Sequence, residues 1–358
     1  MKLAMISFTQ RGSRLNESLS RALSLQGCDC TAFAVAKYAE DCGLEPLTEP
    51  LADWTRRMFT EMDALLFIGA TGIAVRSIAP CVNDKLQDPA VVVMDEKGMF
   101  AISLLSGHVG GANELTAMLA NLTGAIPVIT TATDVNGRFA VDVFAKKNAL
   151  SICEREIAKL ISAKVLDEEK IGLFCEAEVI GEIPEELSVY ERCVPGSTGN
   201  AAEEISTGIC VSVSERPQPY RNTLHLIPNN VVLGIGCKRG TPLEKIEAQA
   251  EQALFSAGVS MKAVCAIASI DLKAEEEGLL AFAKKTGLPF LTFSAEELQA
   301  VNGEFSASAF VQSITGVDNV CERSAMLAVG EGGRLIQKKT AQDGVTVALA
   351  MKHWEISF

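Results

Sequence analysis

Residues 64–78, ALLFIGATGIAVRSI, decide the fold class. Ala64–Ile68 is a compact apolar run, short enough for a strand buried on both faces. The Gly69-Ala70-Thr71-Gly72 turn ends it, and IAVRSIAP then continues at helical spacing. The same alternation spreads outward in both directions. Residues 2–8 (KLAMISF) form a short apolar strand, followed by a helix-like stretch around 14–26. Ala90–Met94 is another strand, Asp95-Glu96-Lys97-Gly98 a turn, and Phe100–Leu105 a third strand. Asn113–Leu122 reads as a helix closed by Gly124, and Ile126–Thr130 as the next strand. Short apolar strands alternating with helices predict a mostly parallel sheet with helical crossovers.

Between about 140 and 225 the chain carries a helix over Ile152–Val165, then Pro-, Gly- and Glu-rich connections with shorter strands such as IGLFCEAEVI and GICVSVSER. Pro195–Asn200 is a loop. At Arg216-Pro217-Gln218-Pro219 the pattern breaks, and a fresh α/β alternation runs from Val231 to the end. The expected fold is therefore α/β: two α/β domains with mostly parallel sheets flanking a smaller α+β middle region. The boundaries fall at 1–135, 136–225 and 226–358.

Composition narrows the function. The 358 residues are 48% hydrophobic and 22% charged, as in ordinary globular proteins. With 32 basic against 45 acidic residues the net charge is -13, and no dense Lys/Arg cluster occurs, which argues against nucleic acid as a partner. An anionic ligand must then be caught by local devices, helix N-termini or a loop Lys-Arg pair. The eleven cysteines are an odd number without any Cys-x-x-Cys, unlike a paired secretory framework. With three histidines in all (His108, His225, His353), no protein-built metal site is expected. The start, MKLAMISFTQRG, turns polar too early for a signal peptide, and no apolar run approaches the ~18 residues of a membrane span. The expected setting is reduced and cytoplasmic.

Two glycine-rich strand-to-helix junctions stand out. In Gly234-Ile235-Gly236-Cys237-Lys238-Arg239-Gly240-Thr241-Pro242-Leu243-Glu244, Thr241 and Glu244 have capping-box spacing and Pro242 suits a first turn. Free amides at such an end favour an anion, with Lys238 and Arg239 adding charge. The plain alternative is a glycine turn with a solvated basic pair. In Leu105-Ser106-Gly107-His108-Val109-Gly110-Gly111-Ala112-Asn113-Glu114, His108 stands where strand ends present ligands in open α/β sheets. Against it stand a backbone-bonded loop histidine and, for Glu114, a carboxylate complementing the helix dipole. Thr71, Gly72 and Arg76 mark another backbone-approach loop, or simply a tight turn. The polar stretch Asn83–Pro89 reads as a solvated connection. Glu322 and Ser324, before an Ala/Leu-rich helix, would face the Gly234–Thr241 loop if that domain forms one sheet, with Ser324 better suited to capping. Cys237 alone among the loop cysteines has cationic sequence neighbours, too little for a covalent role, and no Gly-x-Ser-x-Gly elbow occurs.

LLFIGATGIAVRSIAP, DPAVVVMDEKGMFAISLLSGHVGGANELT, LGIGCKRGTP and GVDNVCERSAMLA together resemble the cobalt-precorrin-5A hydrolase family of anaerobic cobalamin biosynthesis. The resemblance spans nearly the whole chain. It implies an enzyme that opens the δ-lactone of a cobalt-containing, ring-contracted tetrapyrrole with water and releases the extruded fragment as acetaldehyde, giving cobalt-precorrin-5B. No organic cofactor is implied, since the cobalt belongs to the substrate. Such a substrate is rimmed with carboxylates, which suits helix N-termini on an acidic protein.

Catalysis is expected from His108 or Glu114 as general base. Substrate binding is expected from Thr71, Gly72, Arg76, Ser106, Gly107, Gly110, Gly111, Asn113, Gly236, Cys237, Lys238, Arg239, Gly240, Thr241 and Glu322, with the macrocycle between the N- and C-terminal domains. Amides near Gly107–Gly111 or Thr71–Gly72 would stabilise the oxyanion. Two alternatives remain open: a methyltransferase or dehydrogenase using the Gly234–Gly240 turn, and a non-catalytic tetrapyrrole carrier. Oligomeric state is also open, a homodimer included.

Overall fold

The computed structural model describes residues 1–84, 87–108, 110–189 and 205–358, without the side chains of Thr133, Asp134 and Phe310. The loop expected over Pro195–Asn200, two residues of the Asn83–Pro89 connection, and Val109 lie outside the described residues. The chain packs as two compact units, Met1–Val143 and Phe144–Phe358.

The first unit has strands β1 (Lys2–Ser7), β2 (Asp29–Val35), β3 (Glu45–Leu47), β4 (Ala64–Ile68), β5 (Ala90–Met94), β6 (Phe100–Leu105) and β7 (Ile126–Val128). Its helices are α1 (Gln10–Leu25), α2 (Ala36–Ala39), α3 (Leu51–Glu61), α4 (Thr71–Ile78), α5 (Ala112–Thr123) and α6 (Ala132–Val135), and α7 (Val141–Lys147) carries the chain into the second unit. The sheet order is β3-β2-β1-β4-β5-β6-β7. Both faces are covered, which is why its central strands read as continuous apolar runs. Leu3, Met5, Leu66 and Val92 pack with Leu19 and Leu23 of α1 and Leu115 and Leu119 of α5. Ile6, Leu65, Phe67 and Val91 pack on the other face with Trp54 and Met58 of α3 and Ala74 and Ile78 of α4. Each such large side chain contributes about 1.5–3 kcal/mol by leaving water.

Strands β3 to β5 in that order are all parallel. Strand β6 then runs antiparallel to β5, and β7 runs parallel to β6. Asp95 enforces the reversal: its carboxylate accepts from the amides of Lys97 (2.8 Å), Met99 (2.9 Å) and Phe100 (2.7 Å), folding residues 95–99 into a tight turn. Leu105 therefore lies beside Val91, at the start of β5, while the Gly69 amide bonds to Met94 at its end. The chain thus leaves β6 at the opposite end of the sheet from where it leaves β4.

The second unit holds β8 (Leu150–Ile152), α8 (Arg155–Leu166), β9 (Ile171–Cys175), β10 (Glu178–Ile180), β11 (Leu187–Val189), β12 (Thr207–Val211) and β13 (Asn222–Pro228). It continues with β14 (Val231–Cys237), α9 (Leu243–Ala257), β15 (Val264–Ile270), α10 (Glu277–Thr286), β16 (Phe290–Phe293), α11 (Ala295–Ala300), α12 (Ala309–Thr315), α13 (Cys321–Val329), β17 (Arg334–Gln342), β18 (Val345–Met351) and β19 (Glu355–Ser357). One five-stranded sheet has the order β11-β9-β12-β13-β8, another β16-β15-β14-β18-β17, and β10 pairs with β19. The middle sheet is parallel except for β8. His225 of β13 is buried there, its Nδ1 2.9 Å from Glu154 and its Nε2 2.8 Å from the Pro217 carbonyl, a structural use of that histidine.

On the C-terminal sheet, β14 packs α9 and α10 through Leu233, Ile235, Ile246, Ala250, Leu279 and Phe282, and α13 against Val232 and Ala268 through Ala325 and Val329. Gly234 makes the last contact possible: a Cβ there would sit 1.8 Å from the Cys321 carbonyl oxygen. Among the described residues no helix is long and apolar enough to cross a membrane.

Candidate functional site

The loop after β6 is built by its own carbonyls. Ser106 adopts φ 55°, in the left-handed region that side chains rarely enter. Its carbonyl accepts from the Ala112 amide (3.1 Å), that of Gly107 from Asn113 (3.0 Å), and that of His108 from Gly111 (3.0 Å). The amides of Gly111, Ala112 and Asn113 are therefore engaged within the turn. This corrects the expectation that the Gly111 amide waits for an oxyanion. Gly110 is a wedge: a Cβ there would lie 2.3 Å from Ser106 Cβ and 3.2 Å from the Ala90 amide. Asn113 is a buried strut, its Oδ1 accepting from Ser103 Oγ (2.6 Å) and its Nδ2 donating to Thr131 Oγ1 (2.9 Å). Glu114 is exposed in the first turn of α5.

His108 is held at the mouth of this loop with its side chain 15% exposed. Its Nδ1 lies 3.4 Å from Oδ1 of Asp142, at the start of α7. Asp142 escapes a reading of the sequence because no spacing ties it to His108 and it falls beyond the expected boundary at 135, whereas the compact unit extends to Val143.

Thr71, Gly72 and Arg76 do not join this cluster. They begin α4, at the carboxyl end of β4, and the reversal of β6 puts that end roughly 15 Å of strand away from the Ser106–Gly111 turn. Of the two segments expected to offer amides to the oxyanion, Gly107–Gly111 adjoins His108 and Thr71–Gly72 lies at the other end of the strands. Arg76 is exposed, with Nη1 3.4 Å from its own helix's Gly72 carbonyl.

In the second unit, Gly236 and Cys237 close β14, and the Lys238 amide bonds to the Gly344 carbonyl (3.1 Å) of the β17–β18 hairpin. Lys238 and Arg239 are exposed. The predicted capping box is absent. Thr241 Oγ1 donates instead to the Lys238 carbonyl (2.7 Å), and Pro242 is the N-cap of α9 without any side-chain bond.

The Gly240 amide is met by the chain's own Glu276 (2.6 Å), which also holds Lys273 Nζ (2.8 Å). Burial by itself would raise the Glu276 carboxyl, but Lys273 and the Gly240 and Thr241 amides hold it below the usual carboxylate range. Burial pushes the Cys237 thiol up, against the opposing pull of Lys273, so Cys237 is no activated nucleophile.

Glu322 is fully buried, and its carboxylate is engaged inside the fold. It accepts from the Ser306 amide (2.8 Å), Ser306 Oγ (2.8 Å) and the Lys339 amide (2.6 Å). The α13 start does pack on β14 at Gly234, yet the Glu322 side chain braces residues 306 and 339 and presents nothing to a ligand. Ser324 is not the cap; Asn319 Oδ1 accepts the Glu322 amide (2.9 Å), while Ser324 Oγ bonds to the Cys321 (3.2 Å) and Ala268 (3.3 Å) carbonyls. Among the described residues no group of three or more His, Cys, Asp or Glu side chains could hold a metal ion.

The family models for Cobalamin synthesis G N-terminal, Cobalamin biosynthesis central region and Cobalamin synthesis G C-terminus match residues 53–134, 139–228 and 231–350. A cobalt-precorrin-5A hydrolase from Salmonella typhimurium is 39% identical over 356 residues, 98% of this chain and 98% of that one. The chain belongs to the cobalt-precorrin-5A hydrolase family. A second hydrolase of that name, from Priestia megaterium, is 34% identical over 97% of this chain and 94% of its own. The crystal structure of a cobalamin biosynthesis protein G homolog from Sulfolobus solfataricus is 22% identical, covers 98% of this chain and 97% of that one, and has a TM-score of 0.43. Within this cobalt-precorrin-5A hydrolase family member, His108 belongs to the segment matched by the N-terminal model and Asp142 to that matched by the central one.

Proposed function

We propose that the chain hydrolyses cobalt-precorrin-5A, opening its δ-lactone and releasing the extruded two-carbon fragment as acetaldehyde to leave cobalt-precorrin-5B. The observation that carries this is the near full-length identity, 39% and 34%, to two relatives that bear the hydrolase name. The cobalt arrives in the substrate, water is the co-reactant, and no organic cofactor enters the scheme. The setting is cytoplasmic, nucleic acid is not a partner, and a homodimer is compatible with every step.

His108 is the general base. A water held at Nε2 gives its proton to the imidazole as its oxygen bonds to the lactone carbonyl carbon. The ring C–O bond then breaks, and the imidazolium returns the proton to the departing alkoxide. Acetaldehyde leaves when that hydroxyl gives up its proton and becomes a C=O as the carbon–carbon bond to the macrocycle breaks. The bond's electron pair stays with the macrocycle and takes up a proton there. His108 suits the task better than Glu114, because a carboxylate stands behind its ring while Glu114 lies open to solvent. The carbonyls of Ser106, Gly107 and His108, bonded to the Ala112, Asn113 and Gly111 amides, hold the backbone that carries the imidazole. Within the second unit, the exposed Lys238 and Arg239 are cationic groups suited to carboxylates. The Gly240 and Thr241 amides stay with Glu276, and Glu322 stays structural.

The test is to incubate purified protein with the lactone-bearing cobalt intermediate and follow substrate loss and acetaldehyde. His108→Ala should lower turnover by about 10²–10⁴-fold with the fold intact, whereas Glu114→Gln should stay near wild type. Binding without acetaldehyde release would leave a carrier. Full turnover by the folded His108→Ala protein would remove His108 from the chemistry.

A further inference from the structure

We propose that Asp142 is a positioning residue that sets the tautomer and angle of the His108 imidazole. This rests on His108 being the base. Asp142 Oδ1 is 3.4 Å from Nδ1, and the two side chains are only 19% and 15% exposed, so their attraction is partly shielded from water. A carboxylate facing Nδ1 favours the tautomer with its proton there. It also stabilises the imidazolium that forms once the proton has moved. No covalent change occurs at Asp142 itself.

The framework around the pair is hydrogen-bonded on both sides. On the histidine side, the His108 carbonyl is tied to the Gly111 amide and the Ser106 carbonyl to Ala112, so the ring is hung from a fixed turn. On the aspartate side, Oδ1 also accepts from the Val143 amide (3.0 Å), which orients the carboxylate in the first turn of α7. Asn113, at the end of the histidine's turn, bonds Ser103 on β6 and Thr131, whose carbonyl in turn accepts the Val135 amide of α6. A positioned base is effective only while its reach to the reacting atom is held to a few tenths of an ångström. The bonds that fix the His108 backbone and the Asp142 carboxylate supply that constraint.

The test is a double-mutant cycle on the full chain with the lactone-bearing cobalt intermediate. It uses Asp142→Asn, Asp142→Glu, His108→Ala and the His108→Ala/Asp142→Asn double variant, each with its thermal midpoint and its kcat and KM. Asp142→Asn should lose at least about tenfold in kcat, with KM and thermal midpoint unchanged, and Asp142→Glu should recover part of the loss. In the His108→Ala background the Asn change should cost nothing further, because Asp142 acts through the ring.

A full additional loss in that background, or a kcat for Asp142→Asn equal to wild type, overturns the positioning role while leaving His108 as base. A loss that tracks a fallen thermal midpoint in both Asp142 variants also overturns it, in favour of a purely structural part. Full turnover by His108→Ala is the separate result that removes the base, and the positioning role with it.

Discussion

The carboxylate of Glu276 lies 2.6 Å from the amide nitrogen of Gly240, so an anion is already seated at the turn that leads into α9. Lys273 closes over it at 2.8 Å, and the Lys273 and Glu276 side chains are 17% and 7% exposed. A glycine turn before a helix invites an anion, and here the protein supplies its own.

Removing that carboxylate should create an anion site where wild type has none. Glu276→Ala is expected to show a sulfate-dependent rise in thermal midpoint well above that of wild type, since a ligand that binds only the folded state stabilises it by mass action. Equal sulfate responses in the two proteins would mean the Gly240 and Thr241 amides are not poised for an anion.

Gly110 should tolerate no side chain. A methyl group would press on Ser106 Cβ at 2.3 Å and on the Ser106 carbonyl oxygen at 2.7 Å. Gly110→Ala is expected to lose about 1–3 kcal/mol in urea titration. Turnover should fall further, up to about 10²-fold, because the turn that carries His108 shifts. Wild-type turnover would show that the loop geometry has no bearing on the chemistry.

Glu322 should matter to stability before it matters to binding. Its removal leaves the Ser306 amide and hydroxyl and the Lys339 amide without their acceptor. Glu322→Ala is expected to cost about 3 kcal/mol or more, seen as a lower denaturation midpoint at unchanged slope. A cost below about 1 kcal/mol would reopen a ligand-facing role for this carboxylate.

The Asp318–Arg323 pair gives the fold an acid-sensitive clasp. The Arg323 guanidinium, 2.7 Å from Oδ1 and 3.4 Å from Oδ2, holds the Asp318 carboxyl below its usual value. Because the folded value is depressed, the stabilisation is full above the unfolded carboxylate value, near about 4. It is lost as pH falls through the folded value. The same Arg323 also bonds to the Leu298 (3.1 Å) and Val301 (2.9 Å) carbonyls and stacks 4.5 Å over the Phe305 ring. Asp318→Asn should flatten the acid limb of stability against pH relative to wild type. Superimposable acid limbs would show that the pair is too well screened to count.

Much of the architecture was legible in local pattern. The run Ala64–Ile68 reads as a two-face-buried strand because every one of its side chains is apolar, and the structure buries all five. Ala295–Ala300 is a helix, and the structure closes its start with a Ser294–Glu297 capping box. The middle region was harder to read, since strands such as Leu187–Val189 are three residues long and offer too little periodicity to distinguish parallel pairing from a meander.

The site was legible as loops and not as a constellation. The Ser106–Glu114 turn announces itself by its glycines. Thr241 and Glu244 have the spacing of a capping box, yet the Thr241 hydroxyl found the Lys238 carbonyl first, a competition between near-equal local bonds.

From residue order alone came the α/β class, the two glycine junctions that carry His108 and Lys238, and the family, because these reside in short contiguous motifs. Tertiary packing alone decided three further things. The Asp95 turn reverses β6 and so separates Thr71 from His108. Glu276 fills the turn before α9 from a distant part of the chain. Asp142 arrives beside the His108 ring. Each of these depends on which strands pair and in what direction, and direction is a property of the whole sheet that no single segment encodes.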